Sequence, residues 1–188
     1  MALPLIAFAA AVGAGVVHES TKNKYKNLEQ LRLINSNNKR LTVVKSPSDT
    51  YSSDVFVEPQ PGSLVCCEVF NLFDHTGIWI DQDTIIELSN NGLVKAVSSH
   101  RFLDERSGKN IFVACNAKHQ PIVLPNCEAR ALNSVFTYRE YDLLENNCHR
   151  FAHYCLSGND LKVARFGQLN QLLINMVKQN IYWDKVKV

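Results

Sequence analysis

Several features are scarce or missing in this 188-residue chain, and each absence closes off a class of protein. Charge imbalance is slight: the formal net charge is +2. No basic stripe is present to grip a polyanion, so no nucleic-acid partner is expected. There is no Cys-x-x-Cys. The one close cysteine pair, Cys66 and Cys67, is adjacent, and adjacent strand residues point to opposite faces, which makes a poor chelate. No metal and no cofactor are therefore expected. Six cysteines are too few for a disulfide scaffold at this length, so reduced thiols in a reducing compartment are expected. Internal repeats are absent, which excludes a solenoid. The apolar start of the chain has no basic residues before it, unlike a secretory signal.

What is present begins with that start. Residues 1–17 carry no charge and are almost wholly apolar, at the short limit of the roughly 17–25 residues that span a bilayer. The first charges, Glu19, Lys22, Lys24 and Lys26, follow the segment, so the positive-inside rule would leave the remainder of the chain in the cytoplasm. A membrane anchor is the expectation. A cleaved signal and a packed helix stay open, since Ala9 to Ala11 has the small-residue spacing of a cleavage site. Residues 18–58 read as a polar helix with a narrow stripe (Leu28, Leu31, Leu33, Ile34) and a loop-rich linker.

The domain proper, residues 59–160, opens at the Pro59-Gln60-Pro61-Gly62 turn. Strand patterns cover 63–70, 77–81, 84–88, 93–98 and 110–115, with a short helix at 101–105. A helix over 127–138 is expected to bury Ala129, Leu132, Val135 and Phe136. Residues 161–188 read as a C-terminal amphipathic helix along Leu169, Leu172, Leu173, Met176, Val177 and Ile181. It is a packing helix, or, with Trp183, Lys178, Lys185 and Lys187, one that lies on a membrane.

The chemistry centres on Asn146-Asn147-Cys148-His149-Arg150-Phe151. Cys148 follows a polar turn and opens a helical pattern, where the positive end of the helix dipole favours thiolate over thiol. A thiolate nucleophile needs a base, and the base an orienting group. His75 stands at the entrance to one strand and Glu87 lies twelve residues on, across a tight turn and on a shared face. A carboxylate among Ile85, Ile86 and Leu88 calls for a partner. The other cysteines read as buried hydrophobes. His149 is excluded because adjacent helical residues diverge around the axis, and His153 because it lies too far along it.

These residues resemble a known family. Pro61-Gly62-Ser63-Leu64-Val65, Asp74-His75-Thr76-Gly77-Ile78-Trp79-Ile80 and Tyr141…Asn146-Asn147-Cys148-His149-Arg150-Phe151 are similar to the lecithin:retinol acyltransferase-like proteins, a circularly permuted branch of the NlpC-type, papain-like cysteine hydrolases. The resemblance covers about residues 59–158. It implies an α+β fold of circularly permuted papain-like type, with a small antiparallel sheet packed on the helix that bears the nucleophile. It implies Cys148 as nucleophile and His75 as base. Glu87 stands where many members have a second histidine, and His149 where an acidic residue is common.

The expected function is a thiol-dependent acyltransferase or phospholipase. It would act on phospholipid or other acyl esters through an acyl-cysteine, associated with a membrane and with its catalytic domain in the cytoplasm. An NlpC-type amidase or peptidase, and a catalytically silent membrane-tethered interaction module, are the alternatives.

Overall fold

A computed structural model describes residues 55–69, 73–104 and 106–187. The apolar segment 1–17 and the connector and linker as far as residue 54 lie outside them. The described residues form a mixed α+β domain with seven strands in one sheet and four helices.

In chain order the strands are β1 (Phe56–Val57), β2 (Leu64–Val69), β3 (Phe73–Asp81), β4 (Thr84–Leu88), β5 (Val94–Val97), β6 (Ile111–Cys115) and β7 (Tyr182–Val186). The helices are α1 (Ser99–Leu103), α2 (Cys127–Asn133), α3 (Cys148–Ser157) and α4 (Phe166–Val177). Across the sheet the order is β1-β7-β6-β2-β3-β4-β5. All neighbours pair antiparallel except β1 with β7, which is parallel. The sheet is thus larger than the small antiparallel one expected, because both termini of the domain add strands to the same edge.

Period-two alternation sorts the side chains onto two faces. Leu64, Cys66, Ile78, Ile86, Phe112 and Ala114 enter a core beneath α2, α3 and α4. Val65, Cys67, Trp79, Ile85, Ile111 and Val113 enter a second core with Phe102 of α1. Cys66 and Cys67 therefore do face opposite ways, and all six cysteines are buried and unpaired.

Two expectations are corrected. The C-terminal amphipathic helix over residues 161–188 is shorter: α4 ends at Val177, Lys178 closes it in the left-handed region at φ 56°, and the chain turns back as β7. Trp183 is fully buried in that strand, so it is not a membrane-facing residue. The predicted helix over 127–138 stops at Asn133, and its buried side is Cys127 and Ala131. Leu132 and Phe136 are exposed, and Phe136 takes a positive φ of 65° in the turn that follows. Among the described residues no helix is long and apolar enough to cross a membrane.

Candidate active site

Helix α3 starts where it does because Asn147 caps it. The buried Asn147 side chain accepts from the backbone N–H of His149 at 3.0 Å and Arg150 at 3.1 Å, two of the amides that lack partners in a first helical turn. Its own amide donates to the carbonyls of Leu143 at 2.7 Å and Ala164 at 3.1 Å, so one side chain fixes the cap to the loops on either side. At the far end Gly158 adopts φ 79° as the closing residue. Arg130 of α2 donates to the last carbonyls, Cys155 at 2.6 Å and Leu156 at 2.9 Å. A helix tied at both ends holds its first residue, Cys148, in a fixed place.

The histidine comes from β3. Ile78 pairs with Ile86, so β4 ends with Leu88 opposite Thr76, and His75 lies just beyond it. His75 is buried, with its ring 5.2 Å from that of Phe102. Its Nε2 lies 2.8 Å from Oε2 of Glu87, which leaves Nδ1 for the sulfur. Gly77 separates the two on their shared face, and a side chain there would fill the gap: a Cβ would sit 2.6 Å from Ile85 Cγ2 and 3.0 Å from Phe102 Cε2.

Glu87 is almost fully buried, and it holds more than one partner. Arg106 Nη2 donates to Oε2 at 3.0 Å, and Lys95 Nζ lies 3.5 Å from Oε1. Arg106 is itself fixed by a bond to the Phe102 carbonyl and by its position 5.1 Å over the Phe102 ring. Burial alone would raise the Glu87 pKa; the hydrogen bond and charge of His75, then Arg106 and Lys95, outweigh it and hold the carboxyl down at about 2. The carboxylate is therefore ionised at any physiological pH.

The sulfur is the centre of the cluster. Burial opposes charge on Cys148, but His149 and His75, through charge and hydrogen bonds, lower its pKa well below that of an ordinary thiol. His75 moves the complementary way. Burial works against its charged form, and the Cys148 thiolate, followed by Glu87, outweighs that and raises it. These shifts describe a thiolate–imidazolium pair backed by a carboxylate. Tyr141 also hydrogen-bonds the sulfur; burial first and then the thiolate push its phenol well above the usual value. The remaining cysteines differ. Burial pushes Cys67 and Cys127 each up to about 12, and Cys66, Cys115 and Cys155 are raised as well, burial again coming first. One thiol of six is activated.

The structure thus brings Cys148, His75 and Glu87 together. It also brings in residues that the sequence reading did not include. His149, excluded on helical geometry, places Nδ1 3.8 Å from Cys148 Sγ and 3.3 Å from Thr76 Oγ1. Arg106 and Lys95 left no signal in the sequence, because their contact with Glu87 depends on the path of α1 and on the β4–β5 pairing of Glu87 with Lys95. Tyr141 was part of the stretch that carries the family resemblance, but no feature of the sequence put it in contact with the sulfur. His153 bonds the Asn159 carbonyl at 3.1 Å, away from the sulfur. Among the described residues no group of three or more His, Cys, Asp or Glu is arranged to hold a metal ion.

Comparison of the chain with protein families and with curated proteins gives no match.

Proposed function

We propose that this protein is a cysteine-nucleophile acyltransferase or hydrolase acting on lipid esters, built on a permuted papain-like plan similar to that of the lecithin:retinol acyltransferase-like family. The observation that carries the reading is one thiol of lowered pKa at a helix N-terminus, in contact with a histidine whose other nitrogen meets a buried, ionised carboxylate. The order of the parts supports permutation: the base strand precedes the nucleophile helix in the chain.

Cys148 thiolate attacks the ester carbonyl carbon, a C–S bond forms, and the carbonyl oxygen takes up negative charge. The first amide of α3, on Cys148 itself, lies outside the helical ladder and is a donor for that oxyanion; the Tyr141 hydroxyl is the second. Collapse breaks the C–O bond, and His75 gives its proton to the departing alkoxide. Water or another hydroxyl then attacks the thioester, its proton passes to His75, and sulfur leaves as thiolate. Glu87 keeps the imidazole oriented through both halves.

The lipid end of the proposal is supported by the loop that joins two site residues. Between Tyr141 and Cys148 the chain exposes Leu143 and Leu144 by 66% and 62%. This loop is held in one shape by Asp142 Oδ1, which accepts from the amides of Leu144 at 2.8 Å and Glu145 at 2.7 Å. Two exposed leucines on the loop that leads into the helix of the reactive thiol suit an apolar substrate at a membrane surface better than a soluble peptide. The apolar residues 1–17 of the sequence agree with that placement.

Intact-mass analysis after incubation with phospholipid vesicles tests this. The wild-type chain is expected to gain the mass of one acyl group and Cys148→Ala none. No adduct with any lipid, together with one from an acyl-peptide or amide substrate, would move the protein to the amidase class.

A further inference from the structure

His149 is buried and is held on three sides. Its Nδ1 lies between Cys148 Sγ at 3.8 Å and Thr76 Oγ1 at 3.3 Å, and its ring packs 5.8 Å from that of Phe166 in α4. Thr76 directly follows His75 on β3. Consecutive strand residues, His75 and Thr76, thus meet consecutive helix residues, Cys148 and His149. A strand sends such neighbours to opposite faces, and here the N-terminus of α3 receives both.

The other groups around the sulfur explain why a second imidazole matters. His75 faces Cys148 from β3, Tyr141 faces it from the preceding loop, and Cys66 and Cys67 lie nearby on β2 as neutral thiols. Glu87 backs His75, but its charge is shared with Arg106 at 3.0 Å and Lys95 at 3.5 Å. Those two cations weaken the hold of the carboxylate on an imidazolium at His75. In the cycle proposed above His75 is protonated whenever the sulfur is an anion, so a second donor adds to that hold rather than replacing it.

We propose that His149 is a second imidazole of the site, donating its Nδ1–H to Cys148 Sγ and so adding to the hold of the protonated His75 on the thiolate. Thr76 Oγ1 accepts a share of the same N–H and fixes the tautomer, and Phe166 fixes the ring plane. No proton leaves His149 in the cycle. Its donor stabilises negative sulfur twice, before attack and again when sulfur is expelled from the thioester. This rests on the thiol chemistry proposed above and extends it to a residue in contact with the reacting atom.

Alkylation of Cys148 by iodoacetamide, read by peptide mass across pH, tests the idea without substrate or turnover. Removing the donor in His149→Leu is expected to move the midpoint up by about one pH unit, seen as about tenfold slower alkylation on the acid limb. His149→Asn, which restores an N–H near the same position, is expected to recover part of the shift. A folded His149→Leu that tracks the wild type overturns the proposal. A wild-type midpoint at the ordinary thiol value overturns it too and removes the enzymatic reading with it, whereas a low wild-type midpoint with an unmoved variant removes this inference alone. If His149→Leu does not fold, the wild-type ring 15N resonances of His149 decide. They are expected to move when Cys148 is blocked with methyl methanethiosulfonate, and unmoved resonances are the overturning result.

Discussion

Glu87 carries the least ordinary balance of forces among the site residues. A carboxylate 1% exposed stays ionised because three cations meet it: His75, Arg106 and Lys95. Its pKa of about 2 lies below the usual carboxylate range, so the stabilisation from ionised Glu87 is fully present above about pH 4.3 and is lost as pH falls through the folded value. Glu87→Gln keeps the shape and removes the charge. It is expected to cost about 3 kcal/mol at pH 7, with the gap from wild type closing toward pH 2–3 in urea unfolding. It is also expected to lower kcat on the order of 10²-fold, because His75 loses both its orienter and its support as an imidazolium. A pH-independent gap would mean that Glu87 acts through packing alone. Cys148, His75 and Glu87 were legible in the sequence because each stands out locally: a cysteine after an Asn-Asn turn, a histidine just before an apolar strand pattern, a carboxylate in an apolar strand. The strand itself starts earlier than expected, at Phe73, so His75 lies inside β3 and pairs with Cys67. His149 was not legible. Helical spacing describes where Cβ atoms point, while an imidazole has two further torsions and can swing back across 100° of helix to reach its neighbour.

At the scale of elements, β3 does the positioning. Its Gly77 sits between His75 and Trp79 on the face that carries Phe102, in line with Glu87 across the strand pair. A Cβ there would lie 3.1 Å from the Ile86 carbonyl, which is backbone and cannot rotate aside. Gly77→Ala is therefore expected to push β4 outward, costing about 1–3 kcal/mol in urea unfolding and lengthening the His75–Glu87 contact. A variant as stable as wild type would show that β4 yields freely. The strands were readable from alternation and the α3 start from its polar turn. The face of α2 was not: Leu132, Val135 and Phe136 have helical spacing, but the helix ends at Asn133, Leu132 and Phe136 are exposed, and Val135 alone packs against the core. Sequence period cannot mark that stop, because no glycine or proline stands there; Phe136 itself takes up the left-handed turn. Ile181 to Val186 misled for the opposite reason. An apolar residue at the spacing of α4 continued its stripe, while the break lies in Lys178, which adopts an αL conformation that the residue type does not advertise.

Over the whole molecule, the last strand connects the end of the chain to the sulfur. β7 inserts between β1 and β6, and its Trp183 is fully buried with its ring 5.2 Å from that of Phe166, the residue that packs on His149. A path of three tilted rings thus runs from β7, next to the edge strand, to the thiolate. The indole Nε1 finds no acceptor among the described residues, so Trp183 contributes through its bulk and the N–H is a cost. Two substitutions separate these terms. Trp183→Ala leaves a cavity and is expected to destabilise by about 3–5 kcal/mol. It also frees the Phe166 ring, so the alkylation midpoint of Cys148 is expected to rise as it does when the His149 donor is removed. Trp183→Phe keeps an aromatic wall and discards the unpaired donor, so a loss of about 1 kcal/mol or less and an unmoved midpoint are expected. Thermal unfolding and the alkylation profile check both. If Trp183→Ala loses stability while the thiol titrates as in wild type, the ring path is only packing, and Thr76 alone sets the His149 imidazole.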